Sequence, residues 1–165
     1  MKKTMLGWVV TVFALATVLV IPADGQSQTS KNIQRAIELE SEASRFLDQP
    51  DHWAYAANIY WAAAQLRADE DPQGQEDLRI AASLVYETGD ATGAITALES
   101  AGSRALANGD VVGAAGIFTD AVWVANKAGL RADQRRLSSR VAELANSSDL
   151  TRTERNQILA RFRGV

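Results

Sequence analysis

Residues 89–94 read Gly-Asp-Ala-Thr-Gly-Ala, and residues 109–114 read Gly-Asp-Val-Val-Gly-Ala. A glycine just past a helix adopts the left-handed backbone conformation that ends it, and an aspartate caps the helix that follows. The two Gly-Asp steps therefore predict helix boundaries at 89–90 and 109–110. A helix boundary that recurs in this way is typical of stacked helical hairpins.

The stretches on either side of these steps have the apolar periodicity of helices, and none alternates as a strand does. Residues 26–30 are polar, and we expect them to be loose. Pro72 and Gly74 mark residues 69–74 as a loop. The sequence predicts an all-α fold of stacked antiparallel hairpins, with about seven helices after an N-terminal segment, at about 30–48, 51–68, 75–88, 90–107, 110–128, 131–146 and 151–162.

A second internal match supports the hairpin interpretation. Residues 56–60 read Ala-Ala-Asn-Ile-Tyr and residues 114–118 read Ala-Ala-Gly-Ile-Phe, with Ala63 and Ala121 at equivalent positions. A small residue followed one turn later by a large one lets each helix pack closely against its neighbour.

These positions resemble the tetratricopeptide repeat family, whose unit has an apolar first helix, a Gly-Asp break and a second helix with small and large residues at fixed offsets. The matching residues are Leu78, Ala81, Ala82 and Val85, then Gly89, Asp90, Ala94, Leu98 and Ala101, then Gly109, Asp110, Ala114, Phe118 and Ala121, and more weakly Ala56, Tyr60 and Ala63. The resemblance covers about residues 30–146 and implies a curved stack that binds proteins or peptides in its groove, with no chemistry of its own. The two breaks lie 20 residues apart, whereas the family repeats every ~34 residues, so the resemblance implies that a helix is missing or fused between them. A generic helical bundle is the alternative.

The first 25 residues have the layout of a secretory signal. Lys2 and Lys3 precede an uncharged apolar run at 5–22, and the small residues Ala23 and Gly25 suit cleavage after Gly25. We therefore expect a signal peptide at 1–25, a single helical domain at 26–165, and a periplasmic or secreted bacterial protein. The alternative is an uncleaved anchor facing the periplasm, since ~18 apolar residues approach the length that spans a bilayer.

Composition excludes several classes of site. The chain has no cysteine and one histidine, which rules out thiolate metal sites, thiol nucleophiles and a pair of histidines within one chain. Residues 26–126 hold 6 basic and 15 acidic side chains, a net of −9, whereas residues 127–165 hold 9 and 4, a net of +5. This asymmetry marks either a binding surface or a basic tail that neutralises the acidic body.

The second predicted helix carries the densest aromatic cluster. Trp53 and Tyr60 lie seven residues apart and share a face, while Tyr55 and Trp61 lie away from it. Tyr and Trp are favoured anchors in interfaces. We expect one of these pairs to lie in the core and part of the other in a groove. Trp53, Tyr55 and Trp61 are the candidates for partner binding, against the alternative that all of these aromatic residues are core residues.

Four arginines lie mostly along one side of the sixth predicted helix: Arg131, Arg135, Arg136 and Arg140. Arginine favours bidentate contacts with carboxylates or phosphates. They are candidates for binding an acidic partner, with a solvated helix face or pairing with the acidic body as alternatives. Nucleic acid is not expected as the partner of an exported protein with an isoelectric point near 5.2.

No motif for catalysis, metal or cofactor binding emerges. His52 beside Asp51 has no accompanying nucleophile, residues 69–71 lack the spacing of a calcium loop, and Glu38 and Glu42 form no demonstrable pair. The sequence thus favours an exported, non-catalytic helical-repeat protein that binds a protein or peptide. A helical bundle that binds a small apolar ligand and an accessory subunit of an envelope enzyme complex are the alternatives.

Overall fold

The computed structural model describes residues 25–165, and residues 1–24 of the predicted signal peptide at 1–25 lie outside the described residues. No strand occurs within 25–165, and one short 3₁₀ helix spans Pro50–His52. The seven α-helices are α1 (Gly25–Ser44), α2 (Trp53–Leu66), α3 (Pro72–Glu87), α4 (Ala91–Ala107), α5 (Val111–Lys127), α6 (Arg131–Ala145) and α7 (Arg152–Phe162). The predicted all-α class and the number of helices are confirmed. The predicted loop at 69–74 is wrong in its second half, because Asp71 caps α3 and Pro72 and Gly74 lie in its first turn, where a proline has no N–H to leave unpaired.

Each helix packs mainly against the next one in the chain, and α5 also contacts α7. Short connections between successive helices make neighbours antiparallel, so the chain forms stacked helical hairpins. Among the helices within 25–165, none is both long enough and apolar enough to cross a membrane.

The Gly-Asp steps end and start helices as predicted. Gly89 and Gly109 have φ of +90° and +75°, the left-handed region in which a side chain is strained. Asp90 and Asp110 each accept a hydrogen bond at 2.8 Å, from the backbone N–H groups of Gly93 and Gly113.

The interval between the two steps contains one complete helix, α4. The helices α4, α5 and α6 begin at residues 91, 111 and 131. The break therefore follows each single helix, and a two-helix unit occupies about 40 residues instead of the family's ~34. No helix is missing or fused between the breaks.

The first helix differs from its predicted span of 30–48. It includes residues 26–30, expected to be loose, and it ends at Ser44. The polar residues 26–30 contain no Gly or Pro to interrupt a helix, and Gln28 donates to Asn32 one turn later at 3.1 Å. At the other end, the Leu47 carbonyl accepts from the Trp53 indole at 2.8 Å, which holds residues 45–48 as turns before the next helix.

Alanines form much of the helix interfaces. Seventeen alanines are at most 2% exposed: Ala36, Ala43, Ala56, Ala57, Ala63, Ala64, Ala81, Ala82, Ala94, Ala97, Ala101, Ala105, Ala114, Ala115, Ala121, Ala125 and Ala145. Larger side chains fill the spaces between them, in one cluster around α1, α2 and α3 and a second that extends from α2 to α7.

Buried charges join the first three helices. Arg67, which follows α2, donates to Glu40 of α1 and, at 2.8 Å, to Asp71, which caps α3. Its Nε also lies 3.4 Å from Asp77 of α3, a fully buried carboxylate. Arg104 of α4 reaches back to the Ala64 and Ala68 carbonyls at the end of α2. Arg67, Glu40 and Asp77 were not candidates from the sequence, because these charges converge only after folding.

We predict that Ala57→Leu or Ala114→Leu destabilises the protein by about 1–3 kcal/mol. Both alanines are at most 2% exposed, and extra methylene groups in a packed interface force side chains and backbone apart. Thermal or urea unfolding followed by circular dichroism measures the change. The matched control is Ala54→Leu on the exposed side of α2, expected to change stability by less than about 0.5 kcal/mol. Equal losses at the buried and exposed positions would contradict this packing.

We also predict that Arg67→Met lowers the free energy of unfolding by about 3–5 kcal/mol, because it leaves buried carboxylates without their cation. The matched control is Arg79→Met. Arg79 makes only a solvent-exposed pair with Glu76, at 3.0 Å, and such pairs contribute about 0–1 kcal/mol. Urea unfolding near pH 7 measures both variants, and a loss below about 1 kcal/mol at Arg67 would contradict its central role.

Candidate functional site

The aromatic residues predicted as one cluster lie in two places. Trp53 is half-buried with its indole bonded to Leu47, and Tyr55 is 47% exposed beside it. Trp61 lies two turns further along α2 and packs, half-buried, against the larger core cluster. Tyr60 is buried, whereas Trp53, with which it shares a face, is not fully buried. The structure therefore does not bring the three candidate residues together into one surface.

Tyr55 belongs to a corner between α1 and α2. Its hydroxyl donates to Glu42 at 2.6 Å, which raises the pKa of Tyr55. The rings of Tyr55 and Phe46 are nearly perpendicular, with their centroids 5.3 Å apart. The Phe46 ring also stacks on the His52 ring, with a centroid distance of 5.4 Å. His52 thus lies in an aromatic stack at the start of a helix, with no nucleophile beside it in the sequence.

The acidic loop at 69–71 has structural partners. Asp71 accepts from the backbone of Gln73 at 2.9 Å and from Arg67, and Asp69 lies 3.6 Å from Arg104. Within residues 25–165, no group of three or more acidic or histidine side chains has the arrangement of a metal site.

The four candidate arginines of α6 divide into two kinds. Arg136 binds both carboxylate oxygens of Glu99 on α4 and one of Asp133 at 2.9 Å, contacts that raise its pKa. Arg140 donates to Glu143 at 3.2 Å and lies 6.0 Å from the Phe118 ring. Arg131 and Arg135 are exposed, and the Arg135 Nε donates to the Arg131 carbonyl at 3.2 Å.

Part of the basic tail pairs with the acidic body. Besides the Arg136–Glu99 pair, Arg161 of α7 donates to both oxygens of Asp120 on α5, at 2.8 and 3.0 Å. A Cβ on Gly116 would lie 2.9 Å from the Arg161 guanidinium, so glycine there makes room for this contact. Two arginines of the basic part, residues 127–165, are therefore paired with carboxylates of the acidic part, residues 26–126.

Arg136 and Arg140 also border a small groove of about 350 Å³ between α4 and α6, with Phe118 of α5 among its lining residues. A neighbouring groove between α2 and α4, of about 530 Å³, is lined mainly by polar side chains. Glu99 borders both grooves. This side of the helix stack is therefore polar and already rich in internal ion pairs.

A groove with aromatic and aliphatic side chains in its lining lies between α3 and α5. This groove of about 500 Å³ is lined by Glu76, Arg79, Ile80, Ala82, Ser83, Tyr86, Leu98, Asp120, Trp123 and Val124. The Tyr86 and Trp123 rings lie 5.4 Å apart at an angle of 55°, and Lys127 Nζ lies 5.8 Å from the Trp123 ring. Trp123 is 39% exposed.

Neither Trp123 as an exposed residue nor its pairing with Tyr86 was predicted from the sequence. A sequence signal for Trp123 exists, because it falls between Val122 and Val124 but off the turn-spaced stripe of Phe118, Ala121 and Ala125. The pairing itself depends on which helices become neighbours across α4, which one sequence does not specify.

We predict that Arg136→Gln lowers the free energy of unfolding by up to about 1 kcal/mol, since its side chain is 52% exposed and exposed pairs are weak. The loss should shrink in about 1 M salt, where screening acts over ~3 Å. Arg135→Gln on the same helix is the matched control and should leave stability unchanged. Urea unfolding at two salt concentrations measures the free energy of unfolding of each variant. A loss of stability in Arg136→Gln that does not depend on salt would contradict an exposed ion pair.

The chain has no match among protein-family models, curated proteins or solved structures. Its function must therefore be argued from its own geometry. The feature that differs most from an ordinary solvated surface is the aromatic groove between α3 and α5.

Proposed function

We propose that this protein is an exported, non-catalytic helical-repeat protein that binds a protein or peptide partner in the groove between α3 and α5. The observation that carries the proposal is the Tyr86–Trp123 pair. It presents aromatic surface to solvent in a groove that aliphatic side chains also line. The partner we infer is a segment with an apolar anchor side chain.

The lining of the groove supports this choice of partner. Ile80, Ala82, Leu98 and Val124 supply apolar contact, and the exposed Trp123 ring supplies a large surface with few rotatable bonds. Interfaces draw most of their binding energy from a few such aromatic residues in a pocket surrounded by polar side chains. Glu76, Arg79 and Lys127 at the margin fit that polar rim.

The export and the relationship to tetratricopeptide repeats belong to the same proposal. Export depends on the signal layout of residues 1–25, which precede almost all of the described chain. The Gly-Asp breaks and the small-large pattern support a repeat relationship, whereas the unit of about 40 residues departs from the family's ~34. The stacked hairpins themselves do not depend on that relationship.

The arginine-rich part, residues 131–163, contributes to association in this proposal through charge. Arg131 and Arg135 are exposed on α6, while Arg136 is held by Glu99. The first two are thus better placed than Arg136 to meet an acidic partner. A long-range contribution of this kind weakens as salt rises.

A small apolar ligand is the second candidate, because a volume of about 500 Å³ falls within the usual range of ligand pockets, roughly 300–1,000 Å³. The groove lies along α3 and α5, however, and not along α2, the helix with the densest aromatic cluster. The lining also includes Glu76, Arg79 and Asp120, which suits a peptide backbone and its side chains better than a purely apolar molecule.

We predict that peptides selected by display against the protein contain an apolar anchor, and that Trp123→Ala weakens their binding by more than about 30-fold, as at an interface hot spot of ~2 kcal/mol. Isothermal titration calorimetry measures both affinities. Circular dichroism should show that Trp123→Ala keeps its helices, because the ring is partly exposed.

The matched control is Tyr55→Ala, which removes an equally exposed aromatic ring from the corner between α1 and α2. We expect it to leave peptide binding unchanged. If Tyr55→Ala weakens binding and Trp123→Ala does not, the aromatic corner at α2 is the site instead. If the selection returns no peptide, and small apolar molecules change the tryptophan fluorescence of the unmodified protein but not of Trp123→Ala, the second candidate replaces the first.

A further inference from the structure

The cluster around Arg67 contains more negative than positive charge. Arg67 faces Glu40 of α1, Asp71 at the start of α3 and Asp77 within α3. The side chains of Arg67 and Asp77 are 6% and 0% exposed, and those of Glu40 and Asp71 are 20% and 23% exposed. Three carboxyl groups thus share one guanidinium in a largely dry environment.

Asp77 is the least compensated member of this cluster. Its Oδ1 accepts from the Gln73 side chain at 3.2 Å, whereas its Oδ2 is buried without a hydrogen-bond donor. The nearest cationic atom is the Arg67 Nε at 3.4 Å, and that nitrogen already donates to Glu40 at 3.0 Å. A proton on Oδ2 would therefore supply a missing donor beside the Glu40 carboxylate.

The groups around Asp77 leave Arg67 as its cationic neighbour. Tyr60 of α2 is neutral, because burial first and then the charges of Asp77 and Glu40 raise its pKa. Arg67 stays protonated. The guanidinium of Arg104 on α4 is bonded to the Ala64 and Ala68 carbonyls and lies 3.6 Å from Asp69. No neighbour on α1, α2, α3 or α4 therefore supplies a second cation to Asp77.

We propose that a proton held between Glu40 and Asp77 makes the docking of α1 on the α2–α3 hairpin depend on pH, so that α1 is bound more firmly at mildly acidic than at neutral pH. Glu40 is the member of the cluster that α1 contributes. When Asp77 ionises, two carboxylates on different helices repel each other across a single guanidinium. When it is protonated, the repulsion is replaced by a hydrogen bond between α1 and α3.

The direction of the effect follows from the chemistry of Asp77. Burial raises its pKa to about 6, with the charge of Glu40 adding to the shift and Gln73 and Arg67 opposing it. A carboxyl in an unfolded chain titrates near ~3.9. The folded state therefore binds an extra proton between about pH 4 and 6, and the stability that this proton provides is present below about 4 and lost as the pH rises through about 6.

Asp71 has the opposite dependence but in a different range. Burial would raise its pKa, yet its hydrogen bonds with Arg67 and Gln73 hold that pKa below the usual value. Its contribution to stability is present above about pH 4 and lost as the pH falls further. Between about pH 5 and 7.5, the change at Asp77 is thus the one expected to dominate.

Hydrogen exchange of the intact protein tests the proposal. Protection factors, corrected for the intrinsic effect of pH on exchange, are measured for α1 amides at pH 5 and 7.5, with α6 amides as the internal reference. We expect the protection of α1 relative to α6 to fall by up to about tenfold at the higher pH, the factor that linkage gives for a pKa moving from ~3.9 to about 6.

Two substitutions identify the groups responsible. Asp77→Asn cannot ionise and should remove the pH difference, with α1 protected at pH 7.5 as it is in the unmodified protein at pH 5. Glu40→Gln keeps the size of the side chain and should also remove most of the difference. Glu38→Gln is the matched control on α1, because Glu38 is exposed and pairs only with Arg35, and the pH difference should persist there.

Equal α1 protection at the two pH values in the unmodified protein would overturn the proposal. So would a pH difference that persists in Asp77→Asn. If Asp77→Asn does not fold, Glu40→Gln decides in its place, since persistence of the full difference in that variant excludes a proton held between the two carboxyls.

Discussion

The close approach of each helix to its neighbours is the constraint on which this structure depends. Alanines with almost no exposed surface line the contacts from α1 to α6. Because their side chains are small, the backbones of neighbouring helices can pack closely. The larger side chains, such as Leu78, Leu137 and Phe118, then fill the spaces that the alanines leave. Because each helix touches mainly the next one, the structure is a chain of such contacts.

Polar anchors complement this apolar packing where the stack begins. Arg67 and Arg104 bind carboxylates and helix-end carbonyls that the loop between α2 and α3 would otherwise leave buried without partners. Gly74 has to be small for the same reason, since a Cβ there would lie 2.5 Å from an Arg104 nitrogen and 3.2 Å from the Arg67 Cβ. This arrangement holds α1 through charge as well as through apolar contact. The proposed effect of the protonation of Asp77 on the docking of α1 depends on it.

The two sides of the stack suit different partners. Between α4 and α6, arginines are largely matched by carboxylates of the same molecule, and the surface is polar. Between α3 and α5, an exposed tryptophan and a partly buried tyrosine lie beside aliphatic side chains, and the charged lining residues are already paired. Exposed aromatic surface in a concave site is a feature of binding surfaces. The proposed function and the pH effect at α1 occupy different parts of the molecule and can fail independently.

The sequence by itself determined the elements that local chemistry controls. The breaks at Gly89 and Gly109 and the helices from α2 onward were readable, because capping, left-handed glycine and turn-spaced apolar residues act within a few positions of each other. The start of α3 was the exception, since Pro72 and Gly74 suggested a loop but lie in its first turn. Residues 26–30 and the end of α1 were not, since a polar stretch without Gly or Pro can be helical or loose, and the Trp53–Leu47 bond decides where α1 ends. Only the tertiary structure showed that Glu99 is half-buried and bound to Arg136, that Trp53 and Tyr55 lie apart from Trp61, and that Asp77 is buried beside Glu40. These contacts join residues 37 positions apart in two cases, Glu99 with Arg136 and Tyr86 with Trp123, so they depend on which helices become neighbours, a property that periodicity along one helix does not encode.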